Sequence, residues 1–217
     1  MKFLRFYILY RLPIIIFLFC LGILSHLYYD VIVAWICYVL AAFSLLLYFM
    51  VGTMRIVQEA VVEGDVEKAA IYINKIKFPR LLFKPVRSGY YMLQSNLAMA
   101  KDNLTDAESN IRKSLNTKSS IVGNIKGDNL LQLGFIQLKK GSHKEARLTL
   151  VEAVKTGISD KESLAAAYLQ LCSLEIQRTQ NKIAKDYFRK AKALKPKSEE
   201  LVKQIKIMDK QLARMPG

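Results

Sequence analysis

Histidine is nearly missing from this chain: His26 and His143 are the only two among 217 residues, and neither has acidic or cysteine neighbours at ligand spacing. No metal site can be assembled around them. Cys20, Cys37 and Cys172 include no CxxC pair, which removes a zinc ribbon and a disulfide framework. A Walker loop, a G-x-S-x-G elbow and the dinucleotide glycine pattern are all absent. The carboxylates mostly alternate with lysine, as in Glu67-Lys68 and Lys144-Glu145, the pattern of a solvated helix face. The chain therefore reads as a non-enzyme, with no catalytic residue, metal, cofactor or small-molecule substrate assigned.

Acidic residues are equally scarce at the start. Residues 1–54 hold Lys2, Arg5, Arg11 and the single acid Asp30, a net of +2, so that +13 of the +15 falls on the remainder. This first part is apolar. After a basic segment, 1–11, come two runs, about 12–29 and 31–54, with Pro13 in the first turn of the first, where a missing N–H is tolerated. The second run has no charge from Val31 to Met54 and is long enough to cross a bilayer as a helix; the first is shorter and needs its aromatic ends in the interface. A cleaved signal peptide fits less well, since no A-x-A-like site occurs and a second span follows at once. Between the runs, Ser25 to Asp30 carries no Lys or Arg. The expected arrangement is a transmembrane hairpin (12–54) in the inner (plasma) membrane, multi-pass, with both termini cytoplasmic. The second span is expected to continue without a break into a first soluble helix.

Beyond it the sequence repeats. Ala69, Ala107, Ala146 and Ala184 are separated by 38, 39 and 38 residues. Four residues after each stands Ile73, Ile111, Leu150 or Phe188, and seven after each Ile76, Ser114, Ala153 or Ala191. Offsets of 0, 4 and 7 share one helix face. Five residues before each alanine a turn is predicted: Gly64-Asp65, Asp102-Asn103, Gly141-Ser142 and Thr179-Gln180. Thr105/Glu108, Ser142/Glu145 and Ser159/Glu162 have capping-box spacing, and Asp65 and Asp128 suit N-caps.

With Leu130, Leu133, Gly134, Gly141, Ala146, Leu150 and Ala153 in one unit, and Tyr168, Leu171, Ala184, Phe188, Ala191 and Pro196 in the next, residues 53–196 resemble the tetratricopeptide repeat (TPR) family. The units here are longer than that family's. The resemblance implies an all-α chain: a TPR-like α-solenoid of about four helical pairs, with 197–217 as a C-terminal capping helix and tail. It also implies a concave face built from the first helix of each unit. By phase this comprises Met92, Asn96, Met99, Leu131, Phe135, Leu138, Lys139, Leu169, Ser173 and Ile176, an apolar trough for a partner polypeptide. The same residues could instead be core between units, because phase does not separate the two faces.

Two basic surfaces are also candidates. In 77–87, Lys77, Arg80, Lys84 and Arg87 could meet anionic lipid headgroups while Phe78, Leu82 or Phe83 enters the interface; Leu81 and Leu82 are assigned instead to the seam between units. From Lys182 to Arg214 there are eleven Lys/Arg and four acids, including Lys185, Arg189, Lys192, Lys195, Lys203, Lys206, Lys210 and Arg214. Such a face attracts RNA through its backbone, or is simply solvated; aromatic stacking residues are sparse.

The expected function is a membrane-anchored scaffold or adaptor, an integral membrane protein that binds a protein partner through its cytoplasmic repeats. Two alternatives stand beside it. One is a membrane tether for the ribosome or another RNA-containing particle. The other is an accessory subunit of a membrane complex, held through Cys20, Gly22, Ser25, Cys37, Ala41, Ala42 and Ser44.

Overall fold

The computed structural model describes residues 10–28, 31–51, 54–117 and 125–215. The basic segment before Tyr10, the Tyr29-Asp30 part of the first turn and the Gly52-Thr53 step lie outside the described residues. Among the described residues the chain is all-helical, with eleven α-helices, one 3-10 turn and no strand. It divides into two compact units, Met1–Leu97 and Ala98–Gly217, each described by itself.

The first unit opens with α1 (Arg11–Tyr28) and α2 (Val31–Val51), which pack against each other. Their seam is made of small side chains: Gly22, Ser25, Ala34, Cys37, Ala41 and Ser44 are buried. A Cβ on Gly22 would stand 2.7 Å from the Tyr38 ring, so glycine sets how closely the helices approach. Large apolar side chains face outward instead, with Phe17 65%, Ile32 71% and Trp35 64% exposed. Among the described residues only α2 holds a stretch long and apolar enough to cross a bilayer, Val31–Tyr48 at mean hydropathy 2.4; the apolar part of α1, Leu12–Tyr28, is shorter than that. The two-span expectation is thus met by length in one helix.

Next, α3 (Met54–Val62) packs on α4 (Val66–Asn74), a 3-10 turn spans Pro79–Leu81, and α5 (Lys84–Ala100) runs past the boundary of the unit. Met54, Val57, Ala69, Ile73, Leu82 and Tyr90 belong to one buried cluster.

In the second unit, α6 (Leu104–Asn116), α7 (Ile125–Lys139), α8 (His143–Thr156), α9 (Lys161–Gln177) and α10 (Asn181–Ala193) each pack on the next, and α11 (Glu199–Ala213) packs on α9 and α10. Its apolar core lies in two clusters, one around Leu130, Leu150 and Leu171, the other around Leu169, Phe188 and Leu201.

The predicted periodicity has a backbone counterpart. Gly64, Asp102, Gly141 and Thr179 all have positive φ (76°, 57°, 79° and 59°). After each, the N–H of Asp65, Asn103, Ser142 or Gln180 donates to the carbonyl of Ala60, Ala98, Gln137 or Glu175, at 2.9 Å in all four. This left-handed residue followed by a six-to-one bond is the Schellman ending. One turn geometry therefore recurs four times, in step with the alanines. Ala69, Ala107, Ala146 and Ala184 are all fully buried, which is why a larger residue is not accommodated there.

Thr179 is the costly member, because a β-branched residue resists positive φ. Thr179→Gly is expected to stabilise the unit by about 0.5–1 kcal/mol, net of the extra freedom glycine gives the unfolded chain. Cys172 supplies the readout. It is fully buried in α9, and burial pushes its thiol up to about 11, so the folded chain resists alkylation. The urea midpoint for Cys172 alkylation, followed by peptide mass spectrometry on the full chain, should rise in the variant.

Several caps differ from expectation. Asp65 does cap α4, accepting from the Lys68 N–H at 2.9 Å. Asn103, not Thr105, caps α6, and Asp160, not Ser159, caps α9. Ser142 occupies the N-cap of α8 without a side-chain capping bond. Asp128 is no N-cap either: it sits inside α7 and accepts from the N–H (3.1 Å) and hydroxyl (2.6 Å) of Ser159. Asp160 takes the cap from its neighbour Ser159, Asn103 takes it two residues before Thr105, and Asp128 is engaged instead by Ser159, 31 positions on.

Candidate functional site

The residues predicted to line a trough divide between the units, with Met92 and Asn96 in the first and the others in the second. Leu131 (6% exposed) and Leu169 (0%) are core, so neither can meet a partner. Leu131 belongs to the buried cluster with Leu171 and Leu174, and Leu169 to the one with Phe188 and Leu201, the core outcome that phase alone leaves open. Phe135 and Leu138 are half-buried against one cluster and Ile176 against the other. Met92, Met99 and Ser173 are half-buried, while Asn96 and Lys139 are exposed. Within α7, Lys139 is therefore more accessible than the apolar residues predicted beside it.

Between successive helices of the second unit run polar links that sequence reasoning missed. Glu108 on α6 pairs with Lys140 at 2.5 Å and with Arg112 at 2.7 Å. The Lys140 bond above all, then Arg112, holds its carboxyl below the usual range against the opposing effect of burial. A link of opposite polarity follows between α8 and α9: Arg147 on α8, at the place Glu108 holds on α6, and Arg178 meet Glu175, a carboxylate with no exposed surface. The Arg178 bond is 3.0 Å long. The buried Ser114 hydroxyl, at a position that holds Ile76, Ala153 or Ala191 in the other units, accepts from Asn129 at 2.9 Å. Glu162 on α9 accepts from the N–H groups of Lys197 (2.6 Å) and Ser198 (3.3 Å), fixing the start of α11.

The basic end is less free than its composition suggests. Lys185 is half-buried and donates to the Met215 carbonyl at 3.2 Å, Lys192 pairs with Asp209 at 3.3 Å, and Lys203 pairs with Glu199 at 3.9 Å. Lys185 therefore ties α10 to the residues after α11 rather than standing as a free cation. Arg189, Lys195, Lys206, Lys210 and Arg214 are exposed, and Lys206 and Lys210 border a shallow hollow with Asp209 and Ala213.

No models of known protein families match the chain, and no curated protein matches it either. Function must be argued from its own surfaces.

In the 77–87 segment the predicted roles split. Lys77, Arg80, Phe83 and Lys84 are exposed. Arg87 is not on the surface as expected: its guanidinium turns inward and donates to the carbonyls of Arg80 (2.5 Å) and Leu82 (3.0 Å). A 3-10 turn leaves carbonyls unsatisfied, and a guanidinium has enough donors to take two. Leu82 fills the core as the seam assignment expects, but Leu81 is 55% exposed. The small residues proposed for contact with another membrane subunit are mostly used inside the hairpin. Gly22, Ser25, Cys37, Ala41 and Ser44 are buried there, whereas Cys20 and Ala42 face outward.

Proposed function

We propose that this protein is a membrane-anchored adaptor whose TPR-like helical units hold a partner polypeptide beside the membrane. One contrast carries the proposal. Helices α1 and α2 bury small residues and expose large apolar ones, whereas the second unit buries apolar residues and exposes charge. The first pattern is stable where the solvent is lipid, and the second where it is water. The apolar run of α1, Leu12–Tyr28, would reach about 26 Å at 1.5 Å per residue, so the hairpin crosses with Tyr10 and Tyr28 in the interfaces. Both ends of the chain lie on the cytoplasmic side of the inner (plasma) membrane, because Lys and Arg precede α1 and are missing between α1 and α2. The fourfold turn supports stacked repeat units, each covering the apolar face of the last. On α7, exposed Lys139 next to half-buried Phe135 and Leu138 supports a partner polypeptide that offers apolar surface together with an acidic group.

The test is affinity capture of the full chain in mild detergent, with washes at low and high salt, quantified by mass spectrometry. A protein partner is expected to persist through high salt, to persist when residues 12–51 are exchanged for an unrelated membrane hairpin, and to weaken with Lys139→Glu. Release of every partner by salt, with RNA among them, would identify the exposed cations of α10 and α11 as the working surface. Loss on the hairpin exchange alone would make the anchor the interface. Either outcome rejects the adaptor proposal.

A further inference from the structure

No acid stands between Glu67 and Asp102, and in the middle of that stretch the chain makes an exposed turn. Phe78 is 61% exposed, Leu81 55% and Phe83 41%. Between and beside them Lys77, Arg80 and Lys84 are also exposed. Three large apolar groups in water are an unfavourable arrangement, of order 25 cal/mol for each Å² left wet. Alternating them with cations and excluding acids suits one environment in particular, the headgroup layer of an anionic bilayer.

The fold also sets the turn close to where the hairpin ends. Leu82, in the middle of the turn, shares a buried cluster with Met54, which follows the end of α2 at Val51 by three residues. A Cβ on Gly89 of α5 would lie 3.8 Å from the Met54 methyl, so α5 packs there as well. Arg87 braces the turn from the inner side through the Arg80 and Leu82 carbonyls. With Leu82 and Arg87 committed inward, Phe78, Leu81 and Phe83 are held outward on a rigid support rather than on a loose loop.

We propose that the Phe78–Lys84 turn is a second membrane contact. Phe78, Leu81 and Phe83 enter the interface of the bilayer that holds the hairpin, and Lys77, Arg80 and Lys84 bind its anionic headgroups. This inference rests on the hairpin lying in a bilayer. Its consequence is mechanical: one anchor allows the soluble helices to swivel, and a second contact limits how they are presented.

The experiment separates the two contacts by fluorescence. Trp35, the single native tryptophan, reports the hairpin. In a Trp35→Phe background, Leu81→Trp reports the turn at an exposed position, with the helical circular dichroism checked for an intact fold. Full-length protein is placed in vesicles of phosphatidylcholine alone, or of phosphatidylcholine and phosphatidylglycerol in equal parts, each doped with a lipid brominated near the headgroup. The introduced indole is expected to be quenched more strongly in the anionic vesicles. Each cation near such a surface is worth about fivefold, so Lys77→Gln, Arg80→Gln and Lys84→Gln together should lower the inserted-to-free ratio on the order of a hundredfold. Quenching of Trp35 in the unaltered chain without quenching of the turn overturns this inference and leaves the anchor standing. So does a blue-shifted but unquenched indole, which would mean that a protein or a second copy covers the turn. Equal quenching in both vesicles, indifferent to the three charges, overturns headgroup recognition. If Trp35 is not quenched either, the anchor fails and the turn with it.

Discussion

Gly127→Ala is expected to destabilise the second unit by about 3 kcal/mol or more, at and beyond the upper end of ordinary overpacking. Gly127 lies in the first turn of α7, and a Cβ there would meet the Gly157 carbonyl oxygen at 1.7 Å and its carbon at 2.6 Å. Those atoms are backbone, so no rotamer change relieves the clash. Gly157 in turn ends α8 at φ 100°, donating its N–H to Ala153 at 3.1 Å, a conformation that a side chain at 157 would also resist. Pushing the Gly157 segment away would also separate Ser159 from Asp128, whose two bonds hold the same junction. At fixed urea below the midpoint, Cys172 alkylation in the full chain should accelerate on the order of a hundredfold, since the reaction follows the open population. Gly134→Ala is the control. Its Cβ would press on the Leu150 side chain at 2.6 Å and 2.7 Å and stand an ordinary 3.7 Å from the Ala146 carbonyl oxygen, so a side chain rather than backbone must shift, and α7 gains up to about 1 kcal/mol of helix propensity. A Gly127→Ala chain as resistant as the Gly134→Ala chain would show that the α8–α9 junction gives way easily and does not set the spacing of the units.

Which features could be read from the sequence follows from the range of the interactions that create them. The four turns need one residue at positive φ and one small residue five positions on, both local requirements, and they stand where the pattern 64, 102, 141, 179 put them. The buried 0 and 4 offsets are local too, set by helix geometry, and Ala69, Ile73, Ala146 and Leu150 all have zero exposure. Gly127 and Gly157 were not legible, because their close approach joins residues thirty positions apart and a single glycine in a helix has no distinctive neighbours. Glu175 looked like any carboxylate on a helix face until its partners on α8 and at the end of α9 were known. Leu131 and Leu169 are core, the alternative that periodicity leaves open, since two apolar faces on one helix give the same period. Arg87 could not be distinguished from Arg80 by composition. Only the carbonyls exposed by the 3-10 turn decide that one points in and the other out.

The largest electrostatic effect is expected at Arg147. Glu175 occupies the place that Ala60 and Ala98 hold in the earlier turns, where the carbonyl accepts the six-to-one bond. There a carboxylate must be compensated, and it is, by Arg147 from the preceding helix pair and Arg178 from its own. Removing one partner of a buried pair costs about 3–5 kcal/mol, because the other charge stays desolvated. Arg178 remains, and the Arg147 side chain keeps 27% exposure, so Arg147→Ala should fall near about 3 kcal/mol. Glu175→Ala should cost less, about 1–2 kcal/mol, chiefly for lost packing. Both arginines can then turn to water, and the substituted residue is the one the earlier turns already use. The double variant should be scarcely worse than Glu175→Ala alone, so the coupling should approach the whole Arg147→Ala cost of about 3 kcal/mol, measurable from Cys172 alkylation midpoints. Additive costs with a small Arg147→Ala effect would mean that Arg178 alone satisfies the carboxylate.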